Sequence, residues 1–170
     1  MGQLSQGRTN GFEISFNKNT YGRQIWEQVF KYPDVGLSFT YFDYGNDHLG
    51  QSLGAIAYVD FYLLRMGRIE SKFKLGTGLG IHDKPYNHET NNQNIALGSA
   101  ISESMQIRLG LNYKLSDRLK ITTAFTISHF SSAAYIQPNK GLNVATANIG
   151  LKNGTRWERT EVDIRKLYCQ

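Results

Sequence analysis

Apolar and polar residues alternate along most of this chain with a period of two, the pattern of strands whose successive side chains point to opposite faces. The clearest run spans 69–81. Ile69, Phe73, Leu75, Leu79 and Ile81 share one face with Ser71 and Thr77, while Glu70, Lys72, Lys74, Gly76, Gly78 and Gly80 take the other. Residues 101–113 repeat it: Ile101, Met105, Ile107, Leu109, Leu111 and Tyr113 oppose Ser102, Ser104, Gln106, Arg108, Gly110 and Asn112, and Glu103 is the exception on the apolar face. Weaker versions occupy 12–16, 35–41, 53–63, 119–127 and 143–151, and 161–168 is the least marked. In 24–32, Ile25 with Val29 and Trp26 with Phe30 fall at helical spacing, which predicts a short amphipathic turn of helix.

About eight strands of this length suit a small antiparallel transmembrane β-barrel, an all-β fold with no open edge. The whole of 1–170 reads as one barrel domain, with 158–170 the part whose place in it is least defined. Turn residues separate the strands at Asp43-Tyr44-Gly45-Asn46-Asp47, Met66-Gly67-Arg68 and Ser116-Asp117-Arg118. The longer connections, 83–94 and 132–142, fall on one side, which should be extracellular. With eight strands both chain ends would lie on that side too, whereas bacterial barrels usually keep them in the periplasm. Alternation alone does not separate a membrane barrel from a soluble lipid-binding one, in which the apolar face is the inner one. Here the polar face combines Glu70, Lys72, Lys74 and Arg108 with small residues, which suits a narrow, charged and hydrogen-bonded interior. No Gly-x-Trp signature opens the first strand, and this also disfavours the soluble alternative. Tyr41, Phe42 and Tyr44 read as part of an interfacial aromatic girdle.

Composition narrows this further. No run approaches the roughly 20 apolar residues of a membrane helix, but a barrel escapes that test because only alternate residues meet lipid. No signal peptide is visible, so an outer-membrane chain of this sequence is expected to be the processed form. The net charge of +5 comes from scattered Lys and Arg, so a lipid phosphate is at least as good a partner as nucleic acid. The single cysteine, Cys169, offers neither a disulfide within the chain nor a thiolate metal motif.

Chemistry concentrates in one segment, Ile127-Ser128-His129-Phe130-Ser131-Ser132-Ala133-Ala134-Tyr135-Ile136-Gln137-Pro138-Asn139-Lys140-Gly141-Leu142-Asn143. His129 and Ser131 are two apart on an extended strand, so they leave the same face, as a nucleophile and its base require. Counting back by twos gives Ile127, Phe125, Thr123, Ile121 and Leu119, so the pair shares the apolar, bilayer-facing side. Polar groups placed there are costly unless they have partners or work to do. Asn143 is in phase with Ala145, Ala147, Ile149 and Leu151 and therefore reaches the same side from the next strand. The resulting mechanism has His129 take the Ser131 proton, Ser131 attack an ester carbonyl and Asn143 orient the imidazole. The backbone N–H groups near Ser132 and Ala133 are candidates for the oxyanion hole.

These residues resemble the outer-membrane lipid A deacylases, also called acyloxyacyl hydrolases. In that family a His-x-Ser pair is followed by a Pro-Asn-x-Gly loop and an acidic residue. His129, Ser131, Pro138, Asn139 and Gly141 match, and Gly76-Thr77-Gly78-Leu79-Gly80 with Asn94-Ile95-Ala96-Leu97-Gly98-Ser99 is similar to longer, Bacteroidetes-type members. The resemblance implies a small barrel with its active site on the outer surface, acting on the acyl chains of lipopolysaccharide in the bacterial outer membrane. Two positions depart from the family. Asn143 stands where the first characterised enzymes carry a glutamate, and Ser132 stands where an asparagine is common next to the nucleophile. A neutral amide orients a histidine but cannot stabilise imidazolium by charge.

Other signals weigh less. His82 and His88 with Asp83 and Glu89 lack a spacing that would focus them on a metal, so neither metal nor cofactor is expected. Gly76-x-Gly78-x-Gly80 lies inside a strand with no helix after it, which favours space-filling over phosphate binding. The expected activity is removal of an acyl chain from lipid A by a serine esterase mechanism. The alternative is a catalytically inactive structural or adhesion barrel. Expected partners are lipid A or lipopolysaccharide and the outer membrane, with a homodimer left open and no nucleic acid.

Overall fold

The computed structural model describes residues 7–132 and 136–154. Among these residues seven strands occur in chain order: β1 (Asn10–Asn19), β2 (Asp34–Asp43), β3 (Gln51–Met66), β4 (Ile69–His82), β5 (Ile101–Lys114), β6 (Leu119–Ser131) and β7 (Leu142–Asn153). A short helix, α1 (Ile25–Val29), lies between the first two, where the helical spacing predicts it. Every strand is antiparallel to its sequence neighbour, so the sheet order is the chain order. The expectation of about eight strands therefore has seven within the described residues; the eighth candidate, 161–168, lies outside them. β1 starts at the end that carries the long connections and β7 finishes at the opposite end.

The sheet is all-β and curls on itself into a barrel. Contacts across the interior show this: Glu13 of β1 pairs with Lys74 of β4 at 2.7 Å and Arg108 of β5 at 3.2 Å, and Asp34 of β2 pairs with Lys72 of β4 and with Lys152 of β7 at 3.3 Å. Near the tight turns, Glu70 meets Lys120 at 2.5 Å and Lys114 at 3.2 Å. The charged face of the alternation is thus the inside, and each buried charge has an opposite charge within reach, as burial demands. The apolar face is outside: Phe16, Leu37, Leu53, Leu79, Met105, Leu109 and Phe125 are all half exposed or more. This inside-out distribution excludes the soluble barrel and fits one that presents its outer face to hydrocarbon.

The end with the long connections is plugged by a small apolar core of Phe42, Tyr44, Leu49, Ala96, Leu97, Phe130 and Val144, with Leu142 packed against it. Two residues read as girdle aromatics belong here instead. Phe42 falls on the inner face of β2 by parity, and Tyr44 turns inward to donate from its hydroxyl to Ser52 Oγ at 2.8 Å. Burial pushes the Tyr44 phenol up to about 12, so it stays a donor. Tyr41 does face outward, stacked on Phe12.

Candidate active site

The arrangement of His129 and Ser131 begins with the residue between them. Phe130 is fully buried and packs edge-on against Phe42 and the His82 ring. Room for it comes from Gly80, where an added Cβ would lie 2.7 Å from the Phe130 ring. The glycines of β4 thus make room for larger interior side chains, since Gly76 likewise makes way for Ile56. His82 is buried in the same layer, its Nδ1 2.5 Å from Ser52 Oγ and its Nε2 2.7 Å from Ser102 Oγ. Both ring nitrogens are engaged by hydroxyls, so His82 acts as a structural crosslink within the barrel. With Phe130 anchored inward, strand alternation turns His129 and Ser131 outward together.

The neighbouring strand completes the histidine's setting. Asn143 is the register partner of His129, and its Oδ1 lies 2.8 Å from the imidazole Nδ1. An amide oxygen only accepts, so Nδ1 carries the proton and Nε2 is left as the unprotonated nitrogen of the neutral ring. On the far side His129 pairs with Met105, which pairs with Thr77, so Thr77, Met105, His129 and Asn143 form one continuous row across the outer face.

Residues 136–141 of the following connection come back against this row. Asn139 donates from Nδ2 to Ser131 Oγ at 3.0 Å, while its Oδ1 accepts from the Ser132 N–H at 3.2 Å. Gly141, with φ of +71°, lies so close to His129 that an added Cβ would be 2.8 Å from the ring Cε1. Gly is required there on both counts. The sequence reading assigned Asn139 and Gly141 only to a supporting motif; one holds the hydroxyl and the other fits the imidazole. The expected oxyanion donors fare differently. The Ser132 N–H is already engaged by Asn139, its hydroxyl donates to the Ile136 carbonyl at 3.3 Å, and Ala133 lies outside the described residues. A side-chain donor to the Ser131 hydroxyl is instead the Asn139 amide.

What holds this loop is the other long connection, whose role the sequence reading did not assign. Lys140 and Gly141 donate their N–H groups to the carbonyls of Ile95 and Ala96, both at 3.1 Å. Asn94 is buried and shapes that turn by accepting from the N–H groups of Ala96 and Leu97 and donating to the Lys84 carbonyl. A side chain at Gly98 would reach 2.5 Å from the Pro138 carbonyl oxygen. The Asn94–Ser99 segment is therefore a buttress, and the signal that pointed to it was the run Asn94-Ile95-Ala96-Leu97-Gly98.

The arrangement thus has an oriented imidazole, a hydroxyl held by an amide donor, and a loop fixed above both. An apolar groove of about 980 Å³ adjoins it, lined by His129, Met105, Thr77, Ala57, Leu37 and Phe16, which follow one another in register from β6 to β1. No curated protein and no solved structure matches the chain. A family profile does: that of the lipid A 3-O-deacylases (PagL), over residues 10–152. This span holds all the described strands but the last residue of β7, with the histidine, the serine, the loop and the amide, and the chain belongs to the lipid A 3-O-deacylase family.

Proposed function

We propose that this chain is an outer-membrane lipid A 3-O-deacylase that cleaves its ester with Ser131 as nucleophile and His129 as base, at a site facing the outer leaflet. The observation that carries this reading is the pairing of two bonds on one outward patch: Asn143 on the histidine Nδ1 and Asn139 on the serine hydroxyl. A purely structural histidine has no need of a neighbouring hydroxyl held by its own donor.

The proposed chemistry runs through these side chains. Ser131 Oγ attacks the ester carbonyl carbon while its proton passes to His129 Nε2, leaving an imidazolium and a tetrahedral oxyanion. The Asn139 amide, already beside Oγ, donates to that oxyanion. The carbon–oxygen bond to the sugar then breaks, and the imidazolium protonates the departing sugar oxygen. Water, deprotonated by His129, hydrolyses the acyl-serine and returns the proton to Ser131. No metal or redox step is needed. The apolar groove beside His129 suits an acyl chain, and exposed Lys84 and Lys140 on the two long loops suit lipid phosphates.

The test is an assay of the purified barrel in detergent with lipid A, following free fatty acid and the mass of the lipid product. Loss of one ester-linked chain by the wild type, with a rate lower by about 10³-fold or more in Ser131→Ala, is the expected result. An equal rate in both proteins rules out Ser131 as nucleophile, and no release by either points to an inert barrel.

A further inference from the structure

We propose that Glu103 supplies the negative charge that offsets the His129 imidazolium during ester cleavage, a task that the neutral amide of Asn143 leaves undone. This rests on the reading above that Ser131 and His129 cleave the ester. Glu103 interrupts the otherwise apolar outer face of β5, whose remaining outward residues are Ile101, Met105, Ile107, Leu109, Leu111 and Tyr113. Among the described residues it is the one acid set within an outward-facing strand row; Asp43 stands at the tip of β2 and the other strand acids face the interior. A carboxylate on a hydrocarbon-facing surface is costly, so its place there asks for a reason.

The register supplies one. Glu103 is the direct partner of Ser131, while its neighbour Met105 is the partner of His129. Directly opposed side chains start about 5 Å apart at Cβ and diagonal ones about 7–8 Å, so the carboxylate shares a patch with both members of the pair. It also leans toward the His129 row, accepting from the Thr77 hydroxyl at 3.5 Å. In a poorly solvated site, charge acts over such distances without direct contact. The imidazolium exists only between attack and departure of the sugar, so the stabilisation falls on the transition state. Glu103 is thus a positioning residue that works through His129. A role in holding substrate fits poorly, because a carboxylate repels a phosphorylated lipid.

Steady-state kinetics on lipid A separate these roles. Glu103→Gln, folded as judged by heat-modifiable gel mobility, is expected to lose about tenfold in kcat with no rise in KM, and Glu103→Asp to lose less. Placing a carboxylate at the other side of the imidazole, in the double variant Glu103→Gln with Asn143→Glu, is expected to restore kcat. An active wild type whose Glu103→Gln retains its kcat, or loses only in KM, or is not rescued by Asn143→Glu, overturns the inference while leaving the deacylase reading intact. A wild type without deacylase activity overturns both.

Discussion

At the scale of single residues, His129 and Ser131 depend on close contacts that tolerate little change. Gly141→Ala places a methyl group against the imidazole and forces a left-handed backbone on a residue with a Cβ. A displacement of about 1 Å in a catalytic group costs on the order of 10²-fold, so deacylation by Gly141→Ala should fall by about that factor while the barrel keeps its heat-modifiable mobility. Asn139→Asp keeps the shape of the side chain but removes the donor to Ser131. A kcat lower by roughly 10²- to 10³-fold is expected, read in the same fatty-acid release assay. The placement of His129, Ser131 and Asn143 on one face was legible because parity on a strand is arithmetic. The part played by Asn139 was not, since its amide reaches Ser131 through a loop whose path no periodicity encodes. The oxyanion expectation shows the same limit: sequence adjacency points to the N–H groups near Ser132 and Ala133, of which the fold commits that of Ser132 to Asn139.

Between residue and barrel stand the two long connections, which behave as one unit. The 132–141 loop carries Asn139 and Gly141, and the 83–100 loop holds it through the carbonyls of Ile95 and Ala96. Gly98→Val drives a side chain into the Pro138 carbonyl, 2.5 Å from where its Cβ would sit. Activity should therefore drop without loss of the strand signal in circular dichroism, although residue 98 touches neither His129 nor Ser131. Phe130 fixes the other side of the site. Phe130→Ala opens a cavity in a fully buried position, with an expected loss of about 3–5 kcal/mol in denaturant titration together with activity. Strand positions and the short helix were readable from spacing. Aromatic clustering points Phe42 and Tyr44 to a girdle, but strand parity puts Phe42 inside and Tyr44 is buried with it.

For the whole molecule, the deciding feature is the inversion of a soluble fold: ion pairs within, aliphatic and aromatic side chains without. Glu13 ties β1 to β4 and β5 by pairing with Lys74 and Arg108. Glu13→Ala leaves two interior cations without that carboxylate, and breaking buried pairs in this way typically costs about 3–5 kcal/mol, so the urea midpoint for folding into lipid vesicles should fall markedly. The charged interior was visible in the alternation of 69–81 and 101–113, but the pairing of Glu13 with residues far along the chain depends on curvature that the sequence pattern does not carry. The proposed lipid-facing serine esterase makes its clearest prediction in the membrane. The measurement is mass spectrometry of lipid A from outer membranes of cells expressing the wild type, Ser131→Ala or His129→Ala. Lipid A lighter by one ester-linked acyl chain in the wild type alone is the result expected. The same loss in all three, or in none with every barrel folded in the outer membrane, would contradict it.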